Sequence, residues 1–186
     1  MQNNRKRANV FIDYRNYHYY FNKYKWNIDW TKFKTYLSSM YDINTIYFYE
    51  GVPSKAVYFD LYPSDSLQDF VKLKGGKKKE FDSLKKQGFI VRSKLVQRVY
   101  DVKGKRFKHK CNFDVELTID AITTLDEYEV CILCSGDGDF VKLIKHLKGK
   151  HKGVMIIAGR DRLSGLLKKA VNQFVYLGTI KPNIAK

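Results

Sequence analysis

One run of residues constrains this chain more than any other: Val130-Cys131-Ile132-Leu133-Cys134-Ser135-Gly136-Asp137-Gly138-Asp139-Phe140. Its apolar first half predicts a buried strand, and the small and acidic residues behind it predict a tight turn. Phe140, Leu143, Ile144 and Leu147 then recur at helical spacing, so the turn opens a helix. In open α/β sheets, ligands bind beyond the carboxyl ends of the strands, where Asp137 and Asp139 fall. Glycines on both sides of Asp137 let the backbone turn and leave space for a ligand. Paired carboxylates are costly unless a positive charge offsets them, and a divalent cation does so directly.

Residues 9–12 predict another short apolar strand, ending on Asp13, with Asn16 shortly after it. Aromatic residues crowd the next stretch. Tyr14 and His18, nearest the acid, could stack on bases, although helix-spaced rings are more often core. Asp29 or Thr31 caps a helix to about Met40, and Ile43 to Tyr49 alternates as a strand. Ser54 starts a helical segment to about Gln87, interrupted by a loop at Lys74-Gly75-Gly76-Lys77-Lys78-Lys79, since adjacent glycines break helices. That loop could grip phosphates or stay solvated, and it lacks the ending of a phosphate-cradling P-loop.

Phe89-Ile90-Val91 predicts the third strand. Leu95 to Tyr100 and Arg106 to Lys110 flank a turn and predict a basic hairpin, which positive charge would also protect as a sheet edge. In the helix from Asp114, Val115, Ile119 and Ile122 share an apolar face. Asp114 stands at its edge, at the first turn, where an acid also serves as a cap. Gly153 to Ala158 and Phe174 to Leu177 are the last strands, separated by a short helix from Leu163 or Ser164. Alternating strands and helices imply a parallel sheet with right-handed crossovers.

The chain of 186 residues is long enough for one domain with a real core, residues 1–186, with a basic tail over 1–8 and a short tail over 179–186. Apolar runs of about five residues are too short for a membrane span or signal core, so the expectation is a cytoplasmic protein without a membrane partner. Cys131 and Cys134 lie inside the apolar strand and read as reduced core thiols. The net charge is +16, and Lys72 to Lys110 holds fifteen Lys or Arg against three acids. Such a field favours polyanions, nucleic acid first among them. The bland alternative is a solvated basic surface.

Asp13, Asp114, Asp137 and Asp139 thus reach one sheet edge from separate parts of the chain. Oxygen ligands without His or Cys suit Mg²⁺ or Mn²⁺ and not zinc. In a basic cleft such ions serve phosphodiester hydrolysis. Phe11-Ile12-Asp13-Tyr14-Arg15-Asn16 resembles the FID-x-x-N opening of the NYN domain (LabA-like), a branch of the PIN-type nucleases. Lys110-Cys111-Asn112-Phe113-Asp114-Val115 resembles that family's K-x-x-D-V segment with one residue more between lysine and acid, and Ser135 to Phe140 is similar to its SGDGDF signature. The resemblance implies a PIN-like, Rossmann-like three-layer α/β/α fold. Its central, mainly parallel sheet would have about five to six strands plus the basic β-hairpin.

It also implies metal-dependent cleavage of RNA, with RNA ahead of DNA as partner. Asp13, Asp114, Asp137 and Asp139 match the metal-binding acids, Asn16 the polar residue supporting them, and Ser164 a serine at the last helix. Asp120 matches a recurrent acid, and Tyr14 stands where the family often has glycine. The nucleic-acid surface expected from these residues comprises Tyr14, Arg15, His18 and Ser164. To it belong the lysines Lys77, Lys78 and Lys79, then Arg98, Lys103 and Lys105, and finally Arg106, Lys108, Lys110 and Arg160. The expected activity is endonucleolytic ribonuclease cleavage by a metal-activated water. The alternatives are a non-catalytic RNA- or DNA-binding module that keeps the acids, and a small-phosphoester phosphatase. A homo-oligomer is compatible with the sequence, but no residue points to one.

Overall fold

Short apolar runs that alternate with amphipathic stretches must cover one another, and here they do so around one sheet. In the computed structural model, which describes residues 5–186, the strands are β1 (Arg7–Asp13), β2 (Asp42–Pro53), β3 (Phe89–Asp101), β4 (Arg106–Lys110), β5 (Val130–Cys134), β6 (Gly153–Ala158) and β7 (Gln173–Tyr176). Their order is β4-β3-β2-β1-β5-β6-β7, and every pairing is parallel except β3 with β4. The chain builds outward from β1 to β4, then returns to the other side of β1 with β5. The β1–β5 pair is therefore the switch point of the sheet, where a crevice opens at the strands' carboxyl ends.

The helices are α1 (Tyr14–Tyr24), α2 (Trp30–Ser38), α3 (Lys55–Leu61), α4 (Leu67–Lys86), α5 (Asp114–Thr123), α6 (Val141–Gly149), α7 (Gly165–Ala170) and α8 (Leu177–Ile184). The pleat sorts the core into two sets. Val10, Ile12, Ile132 and Cys134 pack with Tyr17 and Phe21 of α1, Phe33 and Leu37 of α2, and Ile180 and Ile184 of α8. Phe11, Cys131 and Leu133 pack with Leu117 of α5, Ile144 and Leu147 of α6, and Leu167 of α7. All three cysteines are buried and unpaired, as expected of Cys131 and Cys134, and Cys111 joins them. Among the described residues, no helix is long and apolar enough to cross a membrane.

Four expectations change. Lys74 to Lys79 is not a loop: α4 runs unbroken through Gly75 and Gly76, and the interruption falls earlier, between Leu61 and Leu67. Two glycines cost a helix about 1 kcal/mol each. Anchors at both ends outweigh that: a capping box joins Ser66 and Asp69, and Leu84 is buried in the core. The expected third strand and the outgoing arm of the hairpin are a single strand, β3.

In α5 the buried face is Leu117 and Ala121, whereas Val115 and Ile119 are 68% and 54% exposed. Both stripes recur at helical spacing. Polar contacts choose between them, because this phase brings Asp120 to the Tyr49 hydroxyl (2.8 Å) and to Arg92 (3.0 Å). Finally, the expected tails are shorter. Arg7 and Ala8 belong to β1, and most of 179–186 is α8, tied down by Asp29 N donating to Ile184 O at 2.8 Å. Residues 1–4 of the expected basic tail lie outside the described residues.

Ile184 is fully buried, so Ile184→Ala should cost about 2–5 kcal/mol, read as a fall in the thermal midpoint. An unchanged midpoint would make α8 an appendage.

Candidate metal centre

Ile12 of β1 pairs with Cys134 of β5, so the next residues, Asp13 and Ser135, leave the sheet side by side. Ser135 Oγ donates to Asp13 Oδ2 at 3.0 Å and accepts from Asp137 N at 3.2 Å. Asp13 also caps α1, accepting from Asn16 N at 3.4 Å, while Asn16 Oδ1 accepts from Gly136 N at 3.3 Å. One serine and one asparagine thus fasten the two strand ends together. Gly136 is required by close approach, since a Cβ there would stand 2.2 Å from the carbonyl oxygen of Arg162. Ser164 N donates to Gly136 O at 2.9 Å, which holds the loop before α7 against the same turn.

Asp137 accepts from Asp139 N at 3.1 Å, so both carboxylates ride on one short turn. Asp114, first residue of α5, reaches them from across the crevice. One carboxylate oxygen from each of Asp114, Asp137 and Asp139 lies within 4.8 Å of the others. Asn112 orients Asp114 through a pair of 2.7 Å bonds, donating to Asp114 Oδ2 and accepting from Asp114 N. Asp13 lines this cleft of about 330 Å³ together with Asp114 and Asp137. Burial, with the charges of Asp114 and Asp137 added, pushes the Asp13 carboxyl up to about 6 against the bonds from Ser135 and Asn16. Burial, with the charges of Asp137 and Asp139 added, raises the Asp114 carboxyl as well. Two carboxyls raised by burial, Asp13 and Asp114, beside the exposed Asp137 and Asp139 and with no His or Cys in the group, are a donor set a hard divalent cation satisfies.

The remaining expected residues divide. Lys110 and Arg15 line the acid cleft, but Arg15 is a strut: its guanidinium donates to the carbonyls of Cys111 (2.7 Å) and His109 (3.4 Å). Tyr14 packs on Phe48 and Trp30, with His18 beside it bonded to Asn22. Lys77 is held by Glu50 (2.6 Å) and Glu80 (2.8 Å) and is largely buried, so it does not grip phosphate from a loop. Arg98 pairs with Asp60, and Lys108 with Asp101. Lys78, Lys79, Lys103, Lys105 and Arg106 are exposed on α4 and the hairpin. Arg160 lies over the Tyr176 ring, outside the cleft lining. Ser164 caps α7, holds Gly136 O through its N–H, and sets its Oγ where a Cβ at Gly138 would stand 2.8 Å away.

Four residues escaped the sequence reading. Ser135 and Asn112 sit inside the recognised motifs, where they read as turn and spacer. Tyr19 and Arg162 also line the cleft, with the Arg162 guanidinium 4.7 Å from the Tyr19 ring centre. Tyr19 is one of a crowd of helix-spaced aromatics that read mostly as core, and nothing in the sequence singles out Arg162 from its neighbour Arg160.

A mostly parallel sheet whose switch point gathers aspartates matches the NYN domain over residues 7–178, and the chain belongs to that nuclease-like family. It is 27% identical over 183 residues to the low amplitude and bright protein LabA of Synechococcus elongatus, covering 97% of this chain and 88% of the relative. The fold also superposes on a crystal structure of a Vibrio parahaemolyticus protein of unknown function, with a TM-score of 0.73 at 20% identity. That likeness covers 100% of this chain and 99% of the other.

The folded-state value of Asp13 lies above the ordinary 3.8, so its ionisation opposes folding above pH about 6, and the penalty fades as pH falls to 3.8. In chelator, Asp13→Asn should therefore be more stable than wild type in alkaline buffer, by up to about 3 kcal/mol. The gain should vanish in acid. Equal thermal midpoints across the pH range would show that Asp13 is not strained by its surroundings.

Proposed function

We propose that this chain is a divalent-metal-dependent ribonuclease that cleaves RNA internally. The observation that carries the reading is the trio of carboxylate oxygens within 4.8 Å of one another at the switch point of a nuclease-like fold. Asp114, Asp137 and Asp139 would hold Mg²⁺ or Mn²⁺, with Asp13 completing the set. When bound, the ion supplies positive charge to a scissile phosphate and acidity to a water. The chain's own residues do the rest. Asn112, Ser135 and Asn16 fix the carboxylates, and Lys110 and Arg162 stand at the rim to meet phosphates.

The acid cleft shares Arg15 and Lys110 with a second cleft of about 510 Å³ along the hairpin, which gives a strand a continuous path. Of the expected nucleic-acid residues, Lys103 and Lys108 line that path directly, with Val99 and Tyr100 beside them. RNA ahead of DNA follows the family and no residue of the cleft. Three unpaired thiols suit a reducing compartment, and we place the protein in the cytoplasm.

Labelled single-stranded and duplex RNA and DNA, incubated with Mn²⁺, Mg²⁺ or chelator, test the reading. Cleavage of RNA should require the ion. Asp137→Asn should lose more than about 100-fold in rate, exceeding the about 10–100-fold typical of outer-shell changes. Its RNA affinity should hold or rise, because a negative charge is gone. Wild-type RNA binding without turnover under either ion would make the chain a binding module instead.

A further inference from the structure

Gly75 and Gly76 lie in the interior of α4, and lack of room does not explain them: a Cβ at either position meets nothing within 4 Å. Each costs the helix about 1 kcal/mol relative to alanine, and no packing contact offsets it. Gly75 lines a cleft of about 590 Å³ between α4 and the far end of β2. Val52, Val71 and Phe81 give that cleft an apolar floor, and Val71 remains 60% exposed. Lys74, Lys78 and Lys85 rim it, with Asp82 as the one acid in its lining. Val71, Gly75, Lys78 and Phe81 recur at helical spacing, so a single face of α4 carries floor and rim together. Glycine leaves that face without a side chain midway along the cleft.

This cleft and the acid cleft share no lining residue, and a single side-chain contact bridges them. Lys77, in the lining of the α4 cleft, lies 5.1 Å from the ring centre of Tyr14, and Tyr14 follows Asp13. Glu50 and Glu80 hold Lys77 in place, so this junction is fixed.

We propose that this cleft is a second binding site for the RNA strand, taking one nucleotide whose base rests on Val71 and Phe81 through the gap left at Gly75. Its phosphate meets Lys74, Lys78 and Lys85. The proposal rests on the ribonuclease reading only for the identity of the strand. An apolar floor with a cationic rim fits a flat ring carrying an anion, and the cleft has the volume for it. A membrane surface is disfavoured by extent, because an interfacial helix inserts a long apolar face and here only Val52, Val71 and Phe81 supply one.

The test is binding of single-stranded RNA in chelator, which needs no turnover and so stands even if the nuclease reading fails. Gly75→Leu fills the gap with a better helix former, and it should melt no lower than wild type. It should bind RNA about tenfold or more weakly, as expected for one lost stacked base. An abasic strand of the same length should bind both proteins equally. Lys74→Glu with Lys85→Glu should weaken both strands and flatten the salt dependence of binding. The proposal falls if Gly75→Leu binds RNA like wild type, or loses RNA and the abasic strand alike. It also falls if the lysine variant keeps RNA and instead loses anionic phosphatidylserine vesicles.

Discussion

The structure depends on holding mutually repelling carboxylates together at the end of two buried strands. Left to themselves, the acids would move apart into water. The parallel pairing of β1 with β5 prevents this, because Asp13 leaves the sheet level with Ser135, and Asp137 follows within the same turn. The cost is bounded by the rise of the Asp13 carboxyl to about 6, roughly 3 kcal/mol. Against it stand Phe11, Ile12, Ile132 and Leu133, all fully buried in these two strands, each contributing about 1.5–3 kcal/mol. Apolar burial wins by a wide margin, so the sheet can carry a strained cluster at its rim. A group that costs stability and sits in a cleft is the pattern expected of a working site.

A second constraint places the hairpin. It is pinned at two places, one by side chains and one by backbone. Asp60 at the end of α3 pairs with Arg98 and His109, which share one face of the β3–β4 ladder. Arg15 of α1 grips the carbonyls where β4 returns toward Asp114. Gly51 lets β4's exit pass close, since a Cβ there would stand 2.6 Å from Cys111 Sγ. The arm that carries Lys108 and Lys110 is therefore set relative to the acids, and α5 begins where Asp114 can reach Asp137. Much of the basic charge does architectural work: Arg92, Lys94, Arg98 and Lys77 all answer acids of neighbouring elements.

The acid centre was legible because it is written locally. Each aspartate follows an apolar strand or opens a helix, and strand-end position alone brings such residues to one edge. The helix phase of α5 was not legible, because Val115–Ile119–Ile122 and Leu117–Ala121 are both acceptable stripes. What decides between them is a bond from a distant tyrosine to Asp120. The passage of α4 through two glycines escaped for a similar reason. Local propensity argued for a break, and anchors at Ser66 and Leu84 overrode it. The strut role of Arg15 depends on carbonyls more than ninety residues away in sequence, which no local pattern encodes.

On the ribonuclease reading, an acidic pocket must receive a polyanion, and the charge distribution bears on how. One divalent ion does not neutralise Asp114, Asp137, Asp139 and Asp13 together, so the pocket by itself would still repel a phosphate at close range. The surrounding surface reverses that at longer range, with a net charge of +16 concentrated toward α4 and the hairpin. Beyond about 10 Å in ordinary salt the local contrast is screened, whereas within a low-dielectric crevice it is not. Attraction over the basic surface and precise local charge balance at the acids are then separate tasks assigned to separate residues. Lys110 and Arg162 stand at the boundary between them, lining the cleft that also holds Asp13, Asp114 and Asp137. Neutralising either boundary residue would leave the far surface attractive but remove the charge that brings a phosphate over the last few ångströms to the carboxylates.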